Sequence, residues 1–268
     1  ITGQTANTNW YKTILRNALE QNHNISISGC SDKAAYFFSG SYLNDQGIVL
    51  ENSFKRITLR SNLDFKISKY IKTGIQSSFA NAVNENGFNN LDIDENGNIG
   101  GAFNDAFRAA PIISPKVGDK YGNVSAFNGQ VGNPLLDINN NKVRVAVNRI
   151  QGAGYLDITP IPFVSFHSSV GVDMKFRQAR QYNYEFLNDE TTFDVAGGNQ
   201  LNSVSYLANK NVQDFQWVWD NYFTFSQKFG KHDLKLMVGT TAEKFQESWL
   251  FGSRKDVPAD PAQYIGTS

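Results

Sequence analysis

The chain has 268 residues, a formal net charge of zero, a mean hydropathy of −0.40 and an aromatic share of 13%. Balanced charge gives no indication of nucleic-acid binding, and the absence of any run of about 18 apolar residues excludes a transmembrane helix. Cys30 is the only cysteine, which excludes an internal disulfide and a cysteine-based zinc site. The first residues lack the basic start and apolar core of a signal peptide, so we interpret the chain as a piece of a longer protein.

The first part of the chain predicts one helix and one hairpin. Trp10, Ile14 and Leu19 recur at helical spacing, which predicts an amphipathic helix over Thr8–Glu20. The alternating segments Asn22–Gly29 and Ala34–Leu43 follow, separated by turn residues, and predict the first pair of strands.

The segment from Phe54 to Ile67 gives the clearest strand pattern. Its apolar residues alternate with polar ones, so one face is apolar and the other strongly polar. At about 3.3 Å per residue the segment spans roughly 45 Å, whereas strands of soluble proteins usually stop at about 5–6 residues and a membrane-crossing strand needs about 9–11. Ser68 and Lys69 form a short turn before a second strand over Tyr70–Ala82, so we predict a long hairpin. The apolar side carries Ile57, Leu59, Leu63 and Phe65.

A long connection, Asn84–Asn140, separates the two halves of the chain. It is rich in Asn, Gly and Asp, as expected for an outer loop of a barrel. Asp92, Asp94 and Asn96 lie within a D-x-D-x-N-G pattern that resembles the first half of a calcium loop. Phe103 stands at the twelfth position, where such a loop needs Glu, so a polar turn is the favoured interpretation and no other metal or cofactor is indicated.

The second half predicts four more strands in two hairpins. The apolar side of Lys142–Asp157 changes partway, which predicts a bulge near Gly152 or Gly154. The other predicted features are a turn at Thr159–Pro162, a strand at Phe163–Tyr182, a loop at Asn183–Lys210, a strand at Asp214–Lys228, a turn at Phe229–Lys231 and a strand at His232–Glu247.

Eight long strands with short turns at one end and long loops at the other indicate an all-β, antiparallel, up-and-down transmembrane barrel segment. A soluble β-sandwich also alternates and is the alternative. Asp157 and Asp173 near Lys175 could suggest catalysis, but barrel lumens carry such charges and no nucleophile–base pair stands out, so we predict no enzyme activity. The residues predicted to face the lumen or a plug are Arg56, Arg60, Asn62, Asp64, Lys66, Asp173, Lys175 and Arg177.

Several segments, in a consistent order along the chain, resemble the SusC/RagA family of TonB-dependent outer-membrane transporters. No single motif is diagnostic, but the ordered set is specific and omits only the long loops. Cys30 stands where the family commonly has a second glycine. The matching segments are Asn9-Trp10, Gln21–Gly29, Tyr42–Val49, Arg56–Phe65, Arg149-Ile150, Tyr155–Pro160, Trp219–Asn221 and Phe229–Leu234.

The resemblance implies a 22-stranded barrel around a plug, so residues 1–268 would form an open partial barrel without plug, signal sequence or later strands. It implies nutrient import at the cell outer membrane, with residues 84–140 as an extracellular loop. The implied partners are membrane lipid, a SusD-like surface lipoprotein, TonB acting through the absent plug, and an oligosaccharide or peptide cargo. A small outer-membrane porin or adhesin barrel and a soluble carbohydrate-binding sandwich remain the alternatives.

Overall fold

The computed structural model describes residues 6–86 and 99–258, and one antiparallel sheet of eight strands dominates it. The strands of the large sheet are β1 (Glu20–Cys30), β2 (Ala34–Gln46), β3 (Ser53–Lys66), β4 (Ile71–Glu85), β7 (Asn141–Ile161), β8 (Val164–Asn183), β9 (Tyr206–Phe229) and β10 (His232–Lys255). The remaining elements are α1 (Trp10–Ile14), α2 (Ile99–Arg108), β5 (Lys116–Val117), β6 (Lys120–Tyr121), α3 (Val124–Phe127) and α4 (Pro134–Asn140).

The spatial order of the large sheet follows the order of its strands along the chain, β1-β2-β3-β4-β7-β8-β9-β10. This confirms the up-and-down antiparallel fold. Within the described residues β1 pairs only with β2 and β10 only with β9, so the sheet is open, as predicted. A closed barrel formed by these eight strands alone and a two-sheet sandwich both disagree with this arrangement.

The two ends of the sheet differ as the sequence predicted. Residues 31–33, 67–70, 162–163 and 230–231 connect the strands at one end, which we call the turn end. All longer connections lie at the other, the loop end, because every pair of neighbouring strands is antiparallel. The β7–β8 turn is shorter than the predicted Thr159–Pro162, since β7 continues to Ile161.

The predicted bulge near Gly152 or Gly154 is wrong. Pairing of β7 with both neighbours is continuous through these glycines, and the register shifts instead between Ile158 and Ile161. Pro160 lies in that interval and has no N–H to donate, so the ladder is interrupted there. The apolar side of β7 changes for another reason: Val143 and Val145 are buried at the loop end on the face that is polar further along the strand.

The N-terminal helix is shorter than predicted. It spans only Trp10–Ile14, and Leu15 is already extended and forms a bridge with Val49. The backbone N–H of Arg16 then donates to the carbonyl of Ile48, so pairing with the β2–β3 connection replaces further helical turns. The predicted loop Asn183–Lys210 is also too long, because β9 begins at Tyr206.

Helices and connections at the loop end pack into a small folded body, which we call the loop-end unit (residues 6–19, 47–52, 99–140 and 184–204). The segment predicted only as a long connection therefore contains three helices and a two-stranded hairpin in its described part, residues 99–140. Asn133 caps α4 and also donates to the carbonyls of Pro115 and Gly122, which ties that hairpin to the helix. The buried apolar core of the unit consists of Trp10, Ile14, Val49, Ala102, Ala106, Ala109, Ile113, Val124, Val131 and Ile138.

Across residues 6–86 and 99–258, none of the helices combines the length and the apolar character that membrane crossing requires.

Candidate functional site

The structure places all eight predicted lumen-facing residues on one face of the sheet. Ser78 pairs with Arg60 on β3 and Gln151 on β7, and Gln151 pairs with Asp173 on β8. Directly paired residues project from the same face, so β3 and β8 present their charged residues together. We call this the polar face, and the face that carries Leu59 the apolar face. That the polar face looks into a barrel lumen stays a prediction. The residues brought together are Arg56, Arg60, Asn62, Asp64, Lys66, Asp173, Lys175 and Arg177.

Ion pairs join neighbouring strands at the centre of the polar face. Asp173 accepts hydrogen bonds from Arg149 Nε, at 3.0 and 3.2 Å to its two oxygens, and from Gln151 Nε2 at 3.1 Å. Lys175 Nζ donates to Asp214 Oδ2 at 3.1 Å. Of the predicted residues, Asp173 and Lys175 are therefore held by partners that were not predicted, because pairing partners follow from strand register rather than from the pattern of one strand.

A tyrosine crosses one whole strand to reach a predicted residue. Tyr155 Oη on β7 donates to Asp64 Oδ1 on β3 at 2.6 Å. Gly74 of β4 lies between them, and a Cβ built there would lie 2.5 Å from Tyr155 Cε1 and 2.6 Å from Asp64 Oδ1. The absence of a side chain at Gly74 is what makes this hydrogen bond possible.

His167 lies towards the turn end of the same face. Its Nδ1 is 2.6 Å from Asp157 Oδ1, and its ring stacks on Tyr222 with centroids 4.7 Å apart. A carboxylate and an aromatic ring therefore hold His167 in place on this face. Within the described parts of the chain, no group of three or more His, Cys, Asp or Glu residues could hold a metal ion.

Two arginines of the polar face carry no counter-ion among the described residues. The Arg56 and Arg60 side chains form no ion pair or hydrogen bond there. Small residues surround them, leaving two adjoining depressions of about 430 and 470 Å³ that share Arg60. These depressions offer cationic and hydroxyl groups, and they suit a polar or anionic partner. Among the residues that line them are Ser26, Ser39, Ser41, Thr58, Ser78 and Gln151.

The last two predicted residues have different surroundings. Lys66 is exposed near the turn end, beside the β3–β4 turn. Arg177 lies towards the loop end, and its Nε atom is buried without a hydrogen-bond partner although its side chain makes other interactions.

The apolar face exposes large side chains across its width. Leu59 is 54% exposed, Ile75 58% and Phe223 59%, although a soluble sheet buries such residues. Leu59 pairs with Phe79 and Phe79 with Ile150, so the apolar rows run continuously from strand to strand. The face therefore requires an apolar environment outside the chain.

Two acidic residues, Asp105 and Asp137, meet inside the loop-end unit, and sequence analysis did not predict this pair. Asp105 accepts a hydrogen bond from the Gly132 N–H at 2.9 Å, and Gln200 Nε2 donates to Asp137 Oδ1 at 2.9 Å. Burial, with the nearby Asp105 carboxylate, raises the pKa of Asp137 to about 7, and burial also raises the pKa of Asp105. Because burial and the nearby Asp105 carboxylate disfavour a charged Asp137, this side chain keeps its proton up to about neutral pH.

The calcium candidates Asp92, Asp94 and Asn96 lie outside the described residues, so that site stays a prediction.

Comparison with known proteins gives one consistent class of relatives. The chain is 24% identical over 97% of its length to TonB-dependent receptor P3 of Formosa agariphila, and 24% identical over 91% to TonB-dependent receptor SusC of Bacteroides thetaiotaomicron. It spans about a quarter of the length of these curated relatives. No family model matches the chain.

Solved structures of a RagAB peptide transporter have the same fold. Superposition gives a TM-score of 0.72 at 16% identity and covers 97% of this chain and 28% of that one. A second structure, the RagAB peptide importer in its closed-closed state, gives a TM-score of 0.73 at 18% identity. These similarities confirm the resemblance to SusC/RagA-type TonB-dependent transporters, and they identify the sheet as a barrel segment.

Proposed function

We propose that this segment of a SusC/RagA-type transporter forms part of the barrel wall of an outer-membrane nutrient importer. The observation that carries the proposal is the division of one open sheet into an exposed apolar face and a charged polar face. In this proposal bilayer lipid covers the apolar face, and the polar face lines the barrel interior. The chain itself contributes wall and binding surface, and its relatives carry names of receptors rather than of enzymes.

The loop end would lie outside the cell. Transmembrane barrels have short periplasmic turns and long extracellular loops, and the connections of this sheet divide in that way. The loop-end unit, together with the rest of the predicted extracellular loop 84–140, is then the surface that meets cargo and a SusD-like lipoprotein. TonB would act on a plug contributed by another part of the full-length receptor.

The cargo is an oligosaccharide or a peptide. One relative is named SusC, and the structural neighbours are described as peptide transporters. Arg56 and Arg60, together with the hydroxyl groups beside them, suit either class.

Growth on defined nutrients tests the proposal. A strain without the full-length receptor should lose growth on one oligosaccharide or peptide source, and receptor supplied on a plasmid should restore it only when TonB is present. Growth that is independent of TonB would instead support a passive porin. Unchanged growth on every source of both classes would contradict the proposed import function.

A further inference from the structure

The apolar face changes to a basic surface where the strands approach the loop end. On the apolar face, Ile57 is the last large apolar residue of β3 in that direction, and Lys55 follows it. One further row along, Ser53, Glu85, Arg144 and Arg180 pair in sequence across β3, β4, β7 and β8. At about 3.3 Å per residue, this charged row lies about 13 Å beyond Ile57.

A groove of about 560 Å³ lies along this row, and we call it the basic groove. Five cationic side chains and two carboxylates line it, so positive charge is in excess. The cations are Arg16, Lys55, Lys142, Arg144 and Arg180, and the carboxylates are Glu51 and Glu85.

The two carboxylates neutralise only part of this charge. Lys142 is 3.3 Å from Glu51, and Arg144 is 2.9 Å from Glu85. Lys55 forms no ion pair or hydrogen bond with any described residue. These arrangements leave uncompensated cationic charge for a ligand.

Backbone carbonyls fix a further cation of the groove. Arg16 donates to the carbonyls of Gly47 at 3.1 Å and Asn52 at 2.8 Å, which hold its guanidinium in place without cancelling its charge. Asn44 also lines the groove, and its Oδ1 is buried without a hydrogen-bond partner. The groove therefore offers a cation that the protein backbone holds in position.

An apolar groove of about 1000 Å³ lies below the basic one on the same face. Gly40 is one of the residues that line it, and the absence of a side chain there leaves space beside Ile25 and Leu59. Leu59 is four residues from Lys55 along β3, a separation of about 13 Å. The face thus presents a cationic site directly above a channel of the right character for an acyl chain.

We propose that the basic groove binds the phosphate groups of an anionic lipid in the loop-end leaflet, with one of its acyl chains in the groove at Gly40. This proposal rests on the proposed function, because it requires the apolar face to contact lipid. The position of the two grooves on one face, about 13 Å apart along β3, favours a lipid over free phosphate, which would use only the upper one.

Binding to the purified full-length receptor in detergent tests this. Short-chain phosphatidylglycerol, short-chain phosphatidylcholine and inorganic phosphate serve as the probes. We expect phosphatidylglycerol to bind more tightly than the other two. Lys55→Gln should weaken that binding about fivefold, since each basic residue near an anionic lipid surface contributes about that factor. Lys33→Gln at the turn end is the matched control, because Lys33 is equally exposed and far from the groove.

Gly40→Leu tests the lower groove, since a larger side chain there would fill it while the cations stay in place. It should weaken phosphatidylglycerol binding and leave phosphate binding unchanged. Equal affinity for phosphatidylglycerol and inorganic phosphate would overturn the lipid assignment, and equal effects of the Lys55 and Lys33 changes would overturn the site.

A spin label tests separately the premise that the apolar face contacts lipid. A spin label at position 59, in a Cys30→Ser background because Cys30 is an exposed free thiol, should be accessible to oxygen dissolved in lipid. Lipid access without selective phosphatidylglycerol binding would reject the groove proposal alone. Absence of lipid access would reject the proposed function as well.

Discussion

At the scale of single residues, the two faces of β3 should respond differently to the same substitution. Leu63→Arg puts a charge on the apolar face and should cost about 2–4 kcal/mol of unfolding free energy near the middle of a bilayer. Asn62→Arg, one residue away on the polar face, should have little effect because Arg60 is already accommodated there. Equilibrium unfolding of the full-length receptor in lipid measures both variants, and equal losses would contradict the assignment of the faces.

Gly74 provides a second test at this scale. Gly74→Ala should displace the Tyr155 ring, because the new Cβ would lie 2.5 Å from Tyr155 Cε1. The Asp64 hydrogen bond is lost with it, and a hydrogen bond to a charged group contributes about 1.5–3 kcal/mol. Gly152→Ala is the control, since the nearest atom to its Cβ is 3.6 Å away. Comparable unfolding free energies for the two variants would show that the hydrogen bond between Tyr155 and Asp64 does not require glycine at position 74.

The sequence predicted the faces of single strands but not the contacts between strands. Alternation alone put Asp64 and Asp173 on a polar face. The partners Tyr155 and Arg149 depend on register, which long-range pairing determines. The sequence analysis assigned no role to Lys55, whose place above the apolar rows is defined only when neighbouring strands are aligned.

At the scale of elements, the loop-end unit should lose stability as pH rises. The pKa of Asp137 is about 7 in the folded unit against 3.8 ordinarily, so the folded state holds a proton that the unfolded state has released between these values. The contribution of Asp137 to the stability of the unit is therefore fully present below about pH 4 and is lost as pH rises through about 7. Hydrogen-exchange protection of α2 and α4, corrected for intrinsic rates, should be greater at pH 5 than at pH 8.

Asp137→Asn should flatten this pH dependence, because the amide keeps the hydrogen bonds of a neutral group without titrating. Asp189→Asn is the control, since that carboxylate lies near the surface of the same unit and hydrogen bonds with Thr191 lower its pKa. A pH dependence that persists unchanged in Asp137→Asn would assign it to other groups.

The elements also show where sequence patterns stop being informative. Long alternating strands such as β3 and β8 were recognisable because each keeps one face in one environment. In β7, Val143 and Val145 are buried at the loop end on a face that is polar along the rest of the strand. This local burial shifts the apolar pattern from one face to the other, as a bulge would. Helix α2 has Ala102, Phe103 and Ala106 at helical spacing, but the Asn- and Gly-rich composition of the segment favoured a loop. Helix α4 is short and is stabilised by contacts such as those of Asn133 with Pro115 and Gly122.

At the scale of the whole molecule, the open sheet has two edges that cannot remain unpaired in lipid, where each unsatisfied backbone group costs several kcal/mol. We expect β1 and β10 to pair with strands from other parts of the receptor. Cysteines at Ile25 and Val238, in a Cys30→Ser background, should therefore give no short cross-link in membranes. The pair Leu59→Cys and Phe79→Cys on adjacent strands is the positive control, and efficient cross-linking between positions 25 and 238 would indicate a small closed barrel.

The division between lipid and interior is the central claim, and accessibility along β3 tests it most directly. Single spin labels at positions 56 to 66 of the full-length receptor in bilayers would be scanned for contact with oxygen and with a water-soluble paramagnetic reagent. We predict a period of two, with oxygen contact highest at odd positions such as Leu59 and Leu63, and low at Arg60 and Asn62. Uniform accessibility, or a pattern of opposite phase, would contradict the account.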